Sequence, residues 1–362
     1  MKAWQEAMAM AAWQCSVRCV CARVVVLRCV VCVWMLPCIL NKVRSPSFFT
    51  LPCLPHRYFH ELAHTDLQSA TPTLGQECTA IVAQDATGAV LHGGNMDQSP
   101  ASVRNVTLQL EFHDALSIGQ GRKQPLFRAV DWYWFTTGAT RAVRKSVASL
   151  QENWRSVALR PHAEVFAEIK RGILPQVWVF RHALQTQPPP SWTQLLHTLS
   201  TTPLAAPFYI AAAGPGPGQG TIITRNLTGA IQVSTLSPPT RALGGEGEKT
   251  GREGGQGGDS EATWFLAQTN YDRFANGTDS PTDPRRTAAE IVLRRVEQDE
   301  GSTGLGLMAV LSTYPVHNPH SAYTAIMDPA SGALHAYVRQ ALCPATPGNS
   351  VVQDARYCIA SP

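Results

Sequence analysis

Cys78-Thr79-Ala80-Ile81-Val82-Ala83-Gln84-Asp85 opens the stretch from which the architecture is read, and His92-Gly93-Gly94-Asn95-Met96-Asp97 closes it. Short alternating runs at 79–84 and 90–92 flank Ala86-Thr87-Gly88, so the spacing predicts a β-hairpin there. Working outward, strands are expected at 106–112, 208–213, 221–225 and 264–269. Residues 323–327 and 333–338 form a second hairpin around 328–332. Apolar residues near helical spacing predict helices at 162–171, 192–199 and 286–298. Strands joined mainly by hairpins, with helices between the groups, make an α+β layered domain rather than a parallel sheet. Residues 244–260 are Gly-rich and charged with no apolar period, which reads as a flexible surface insertion.

The 362 residues are 44% hydrophobic and 15% charged, enough to bury a sizeable core and to exclude wholesale disorder or a polytopic membrane protein. A formal net charge of +4 with no Lys/Arg block argues against a nucleic-acid partner. Cysteine is spread unevenly: Cys15, Cys19, Cys21, Cys29, Cys32, Cys38 and Cys53 precede residue 54, leaving Cys78, Cys343 and Cys358. That distribution excludes a disulfide scaffold across the body, although Cys343 and Cys358 are candidates to pair with each other. Lys2, Arg18 and Arg23 precede an apolar stretch, 24–40, which only Arg28 interrupts, so residues 1–40 read as a signal peptide or anchor-like segment. The Asn-x-Ser/Thr sites at Asn105, Asn226 and Asn276 agree with a lumenal body.

Two chemical signatures compete. His60-Glu61-Leu62-Ala63-His64 matches H-E-x-x-H, in which two histidines on one helix face bind Zn²⁺ and the glutamate serves as general base. Nothing nearby supplies a third ligand, and Pro55 and Pro72 hem the segment in, so a zinc protease ranks third among the functional readings. The plainer reading is an amphipathic turn packing Phe59 and Leu62. The close pairs Cys19/Cys21 and Cys29/Cys32 sit in an apolar run without matching downstream ligands, and no metal or cofactor is expected. The second signature is Cys78 itself, at the start of a predicted strand. It reads either as a buried small hydrophobe or disulfide partner, or as a nucleophile active as thiolate beside a base. Spacing alone leaves both open.

The stretch C-T-A-I-V-A-Q-D…H-G-G-N-M-D resembles the start of the mature β-subunit in the acid ceramidase and N-acylethanolamine acid amidase family of N-terminal-nucleophile hydrolases. Three further segments follow in the family's order: Thr269-Asn270-Tyr271-Asp272-Arg273-Phe274, Asp283-Pro284-Arg285-Arg286-Thr287, and Leu311-Ser312-Thr313-Tyr314-Pro315-Val316-His317-Asn318 with Tyr323-Thr324. Upstream, Tyr58-Phe59-His60-Glu61-Leu62 is similar to the family's approach to the cysteine, which accounts for Glu61 without zinc.

The resemblance implies a four-layer αββα sandwich and a precursor that cuts its own Glu77–Cys78 bond. Residues 41–77 would be a shortened α-subunit-like region and 78–362 the catalytic β-subunit-like domain. The freed α-amine of Cys78 would serve as base for its own thiol. Asp97 matches the aspartate that holds that amine, and Asn270 the asparagine whose side-chain N–H helps form the oxyanion hole, a donor worth about 3–4 kcal/mol. Arg285 matches the first arginine of the family pair, and Glu152 matches its L-N-E-R glutamate. Gly94 stands where the family has an arginine beside the cysteine, and losing that cation is expected to raise the thiol pKa. Arg104 and Arg122 are the candidates to replace it. The implied activity is hydrolysis of an N-acyl lipid amide, ceramide ahead of N-acylethanolamine, in a lysosomal or other secretory-pathway lumen, by an α/β heterodimer in transient contact with a membrane or lipid carrier. The alternative from another class is a catalytically silent lipid-binding relative.

Overall fold

Two antiparallel sheets lie face to face, and helices cover the outer face of each. The computed structural model describes residues 13–19, 26–30, 78–98, 101–114, 124–132, 139–155, 162–237, 264–272 and 283–339. Strands β1 (Trp13–Cys19) and β2 (Val26–Val30) pair at one edge of the larger sheet, where β1 runs antiparallel to β5 (Thr107–Asp114). The hairpin predicted around 86–88 is β3 (Cys78–Gln84) and β4 (Val90–Asp97), and it lies in the middle of the smaller sheet. The larger sheet continues through β6 (Phe127–Trp132), β7 (Arg141–Arg144), β8 (Ala148–Trp154), β9 (Phe208–Ala213), β10 (Gly220–Arg225) and β11 (Ala230–Thr235). The smaller sheet is ordered β12-β3-β4-β13-β14, with β12 at Phe265–Gln268, β13 at Ser321–Asp328 and β14 at Ala333–Val338. Six α-helices are described: α1 (His162–Lys170), α2 (Gln176–Gln185), α3 (Trp192–Thr201), α4 (Arg285–Arg295), α5 (Gln298–Gly301) and α6 (Gly304–Ser312).

Every residue of β3 is buried, because the strand is covered on both faces. The period of two divides its side chains. Ile81 and Ala83 pack with Leu293 of α4 and Leu307 and Leu311 of α6. Ala80 and Val82 pack with Ala211, Ala213 and Ile222 of the larger sheet. On the far side, Val179, Phe180 and Leu184 of α2 and Leu195 and Leu199 of α3 cover Leu110, Phe127, Leu150 and Phe208. Burying each such large apolar side chain contributes about 1.5–3 kcal/mol. The result is the αββα layering that the resemblance implies.

Several elements differ from their sequence reading. Strand β4 runs on to Asp97, since Gly93 lets α6 approach closely: a Cβ there would lie 3.0 Å from Leu311 Cδ1. The helix expected at 286–298 starts at Arg285 and ends at Arg295, after which Val296 is extended. The sequence pattern does not predict strands β1, β2, β6, β7, β8 and β11 or helices α2, α5 and α6. Helix α6 is nearly all apolar with two glycines, so it lacks an amphipathic period, and β7 and β8 carry buried Arg141, Gln151 and Asn153 where alternation would want apolar residues. His60, Glu61, His64, Glu77, Arg122, Arg273, Asn276, Cys343, Cys358 and the 244–260 insertion lie outside the described residues. Among the described residues no helix is long and apolar enough to cross a membrane.

Candidate active site

Cys78 heads β3 and is buried. Strand β12 pairs Gln268 with Ala80, and continuing that antiparallel register brings Asn270 opposite Cys78. The Cys78 backbone N–H donates to Asn270 Oδ1 at 2.7 Å, and Asn270 Nδ2 donates to the Trp154 carbonyl at 2.7 Å. In the chain as it stands, the asparagine thus holds the nitrogen of Cys78 through its carbonyl.

Arg285 opens α4 and ties the cluster together. Its Nε and Nη2 clasp the Asp283 carboxylate, while Nη2 also donates to Asn270 Oδ1 at 2.9 Å. Nη1 donates to the Cys78 carbonyl and to Asp97 Oδ2, each at 3.2 Å. Asp97, the last residue of β4, accepts in addition from Asn318 Nδ2 at 2.8 Å and from Ser321 Oγ at 2.5 Å. Burial pushes its carboxyl up against the pull of Arg285 and those two hydrogen bonds. Asp97 therefore reaches Cys78 through Arg285 in this chain, rather than by bonding its nitrogen.

Glu152, half-buried on β8, hydrogen-bonds Gln176 at the start of α2 and bears on Cys78 through its charge. Burial pushes its carboxyl up to about 7, with Arg141 pulling the other way. Asp131 of β6 is more buried and rises to about 8 for the same reason, although it accepts from both the N–H and the hydroxyl of Thr140. Of the five residues singled out from sequence, Cys78, Asn270, Arg285 and Asp97 form one hydrogen-bonded cluster, with Glu152 at its edge.

The thiol is shifted in the expected direction, but burial is the main cause. Cys78 Sγ lies 3.5 Å from Met96 Sδ, its cross-strand partner, and burial pushes the thiol up. Arg104 is not the replacement cation: its guanidinium donates to the carbonyls of Ser321 and Pro319. The cation bearing on the thiol is Arg141 of β7, followed by no local motif that would have revealed it. Asn318 and Ser321, the other partners of Asp97, carry no role in the sequence reading, although Asn318 ends the segment from Leu311 to Asn318. Among the described residues no group of three or more His, Cys, Asp or Glu side chains is placed to hold a metal ion.

No family model matches the chain. Curated relatives do. It is 30% identical over 261 residues to the N-acylethanolamine-hydrolyzing acid amidase of Oryctolagus cuniculus, covering 70% of this chain and 62% of the relative. It is 27% identical over 284 residues to the acid ceramidase of Mus musculus and 26% over 283 residues to that of Homo sapiens, each covering 74% of this chain. The chain spans 62–63% of the length of these relatives. Among solved structures, a Caenorhabditis elegans N-acylethanolamine-hydrolyzing acid amidase ortholog superimposes with a TM-score of 0.53 at 23% identity, over 70% of this chain and 93% of that one. That likeness is one of fold.

Proposed function

The chain belongs to the family of acid ceramidase and N-acylethanolamine-hydrolyzing acid amidase, and on that premise we propose that it hydrolyses the amide bond of an N-acyl lipid with Cys78 as nucleophile. The observation that carries this reading is the grip on the backbone of Cys78: Asn270 holds its nitrogen and Arg285 its carbonyl. Those contacts restrain the backbone of Cys78 on both sides of its Cα, which would hold the thiol in one position for attack.

Maturation comes first. Sγ attacks the Glu77 carbonyl carbon, the bond from that carbon to the Cys78 nitrogen breaks, and the nitrogen takes up a proton to become the α-amine. Water then hydrolyses the thioester, releasing the Glu77 carboxylate and restoring the thiol. The products remain together as an α/β pair. In turnover the α-amine, with an ordinary pKa near 8, takes the thiol proton. The thiolate adds to the substrate carbonyl, a side-chain N–H of Asn270 stabilises the oxyanion, the amine product leaves with the proton, and water hydrolyses the acyl-thioester. Asp97 holds the α-amine once it is free, Arg285 positions Asp97 and Asn270, and Glu152 sets the charge at the back of the site. No cofactor takes part.

Ceramide is the favoured substrate, because Thr269-Asn270-Tyr271-Asp272-Arg273 and Pro315-Val316-His317-Asn318 lean toward the ceramidase form; Ala83-Gln84-Asp85 leans toward N-acylethanolamines. The setting is a lysosomal or other secretory-pathway lumen, with transient contact to a membrane or lipid carrier. Incubating the expressed chain at acidic pH tests the whole scheme: intact mass and N-terminal sequencing should show a fragment beginning Cys78-Thr79-Ala80, and ceramide should be hydrolysed faster than N-acylethanolamine. Cys78→Ala should do neither; retention of both in that variant overturns the reading. The second reading, a silent lipid-binding relative, rests on Gly94, and an uncut chain that still binds ceramide would favour it.

A further inference from the structure

The cation missing at position 94 has a counterpart on the opposite sheet. Gly94 pairs with Ala80, and its vacant side-chain direction is filled by Gln151 of β8, whose Nε2 donates to Thr79 O and Asn153 Oδ1. Arg141 of β7 is the cross-strand partner of Gln151 and is wholly buried. Its Nη2 donates at 2.8 Å to the carbonyl of Asn95, the residue between Gly94 and Met96. Its Nη1 donates at 3.2 Å to the hydroxyl of Tyr323, and its Cζ stands 5.2 Å from that ring's centroid. Met96 is the cross-strand neighbour of both Cys78 and Tyr323. The guanidinium is thus anchored on Tyr323, at the end of the Cys78–Met96–Tyr323 row, and on the backbone next to Met96.

Both of those anchors are neutral, and the buried Nε has no hydrogen-bond partner. A buried cation whose hydrogen bonds go only to neutral groups is costly, and the cost falls when an anion forms beside it. Asp97 and Glu152 bear on the thiol in the opposite sense, and Asp97, Asp131, Glu152, His92 and Tyr323 also face Arg141. Among these groups, Arg141 has the largest lowering influence on Cys78, and Cys78 in turn helps keep the guanidinium protonated.

We propose that Arg141 is the positioning residue for the Cys78 thiolate, supplying from β7 the positive charge that position 94 lacks. This rests on the reading of Cys78 as the nucleophile. The test titrates the thiolate by ultraviolet absorbance, as the difference from Cys78→Ala in each background, and so needs no substrate. Arg141→Met removes the charge but keeps an apolar side chain beside Tyr323; its thiol half-point should rise by about one unit or more, lowering the thiolate fraction at a fixed pH roughly tenfold. Arg141→Lys should stay close to wild type. In active enzyme, kcat should fall with KM unchanged. Arg141→Met and Arg141→Lys titrating alike would overturn the proposal. Should Arg141→Met not fold, Arg141→Met/Gly94→Arg/Gln151→Gly returns the charge to β4. A wild-type half-point there supports the proposal, and a half-point raised by a unit or more sinks it. Failure of the wild type to hydrolyse any N-acyl lipid would sink the functional reading while leaving this titration intact.

Discussion

The amide of Gln151 occupies the direction a side chain on Gly94 would take, within clash distance of a Cβ at that position. The two residues belong to different sheets, so the glycine and the glutamine are one packing decision. Position 94 is closed by Gln151, and Arg141 occupies the same inter-sheet layer one strand over.

Gly94→Ala should therefore destabilise the fold, by about 1–3 kcal/mol, because the new methyl evicts an amide anchored to Thr79 and Asn153. Gly94→Arg alone should cost more and should not speed maturation. Adding Gln151→Gly should recover much of the loss, giving a coupling of about 1 kcal/mol or more in a urea-denaturation cycle. Additive effects would show that the glutamine is free to move aside.

The outer layers of this fold were legible where one face is apolar and the other is not, as in α3, whose Ser191 and Gln194 also form a capping box. Legibility failed where the interior is polar. Strands β7 and β8 present Arg141, Gln151 and Asn153 to the inter-sheet layer, so their period carries charge and amides instead of valine and isoleucine. The site divides in the same way. Cys78, Asp97, Asn270 and Arg285 sit in local motifs, whereas Arg141 reaches the thiol only because the sheets stack, and stacking leaves no spacing signal in the chain.

Arg285 should be the least replaceable side chain in the cluster. It is fully enclosed, and removing it strands the carboxylates of Asp283 and Asp97 without their cation. Arg285→Met should cost about 3–5 kcal/mol of stability. Arg285→Lys should recover only part of this, since one ammonium cannot both clasp Asp283 through two nitrogens and bridge Cys78 O to Asp97. Thermal unfolding of both variants checks the order; equal stability of Lys and wild type would contradict it.

Asn270 offers a way to separate holding from catalysis. Asn270→Asp keeps an oxygen for the Cys78 N–H and for Arg285, but removes the amide donor aimed at Trp154 O. Asn270→Ala removes both. If the side-chain N–H is the oxyanion donor, both variants should lose about 10²–10³ in kcat. Only Asn270→Ala should also loosen the Cys78 backbone, seen as faster amide exchange there. Full activity in Asn270→Asp would assign the oxyanion to another group.

Asp131, Glu152, His92 and His317 each make stability depend on pH, and Asp97, which burial also pushes up, acts in the same sense as the two carboxyls. Burial pushes Asp131 up to about 8 and Glu152 up to about 7. An unfolded carboxyl releases its proton near 4, so from there to about 8 the folded chain binds more protons, and stability falls as pH rises. Burial, with Arg141 behind it, pulls His92 down to about 3; burial, with Arg339 and Arg104 behind it, pulls His317 down to about 4. Unfolded imidazoles take up protons near 6.5, so below that value the unfolded chain binds more, and stability falls as pH drops. The two slopes oppose each other between about 4 and 6.5 and act alone on either side. The unfolding temperature should therefore vary least across that mildly acidic window and decline both above and below it. Asp131→Asn should weaken the alkaline decline and leave the acid one unchanged. A midpoint that climbs steadily past neutrality would mean that Asp131 and Glu152 ionise freely in the folded chain.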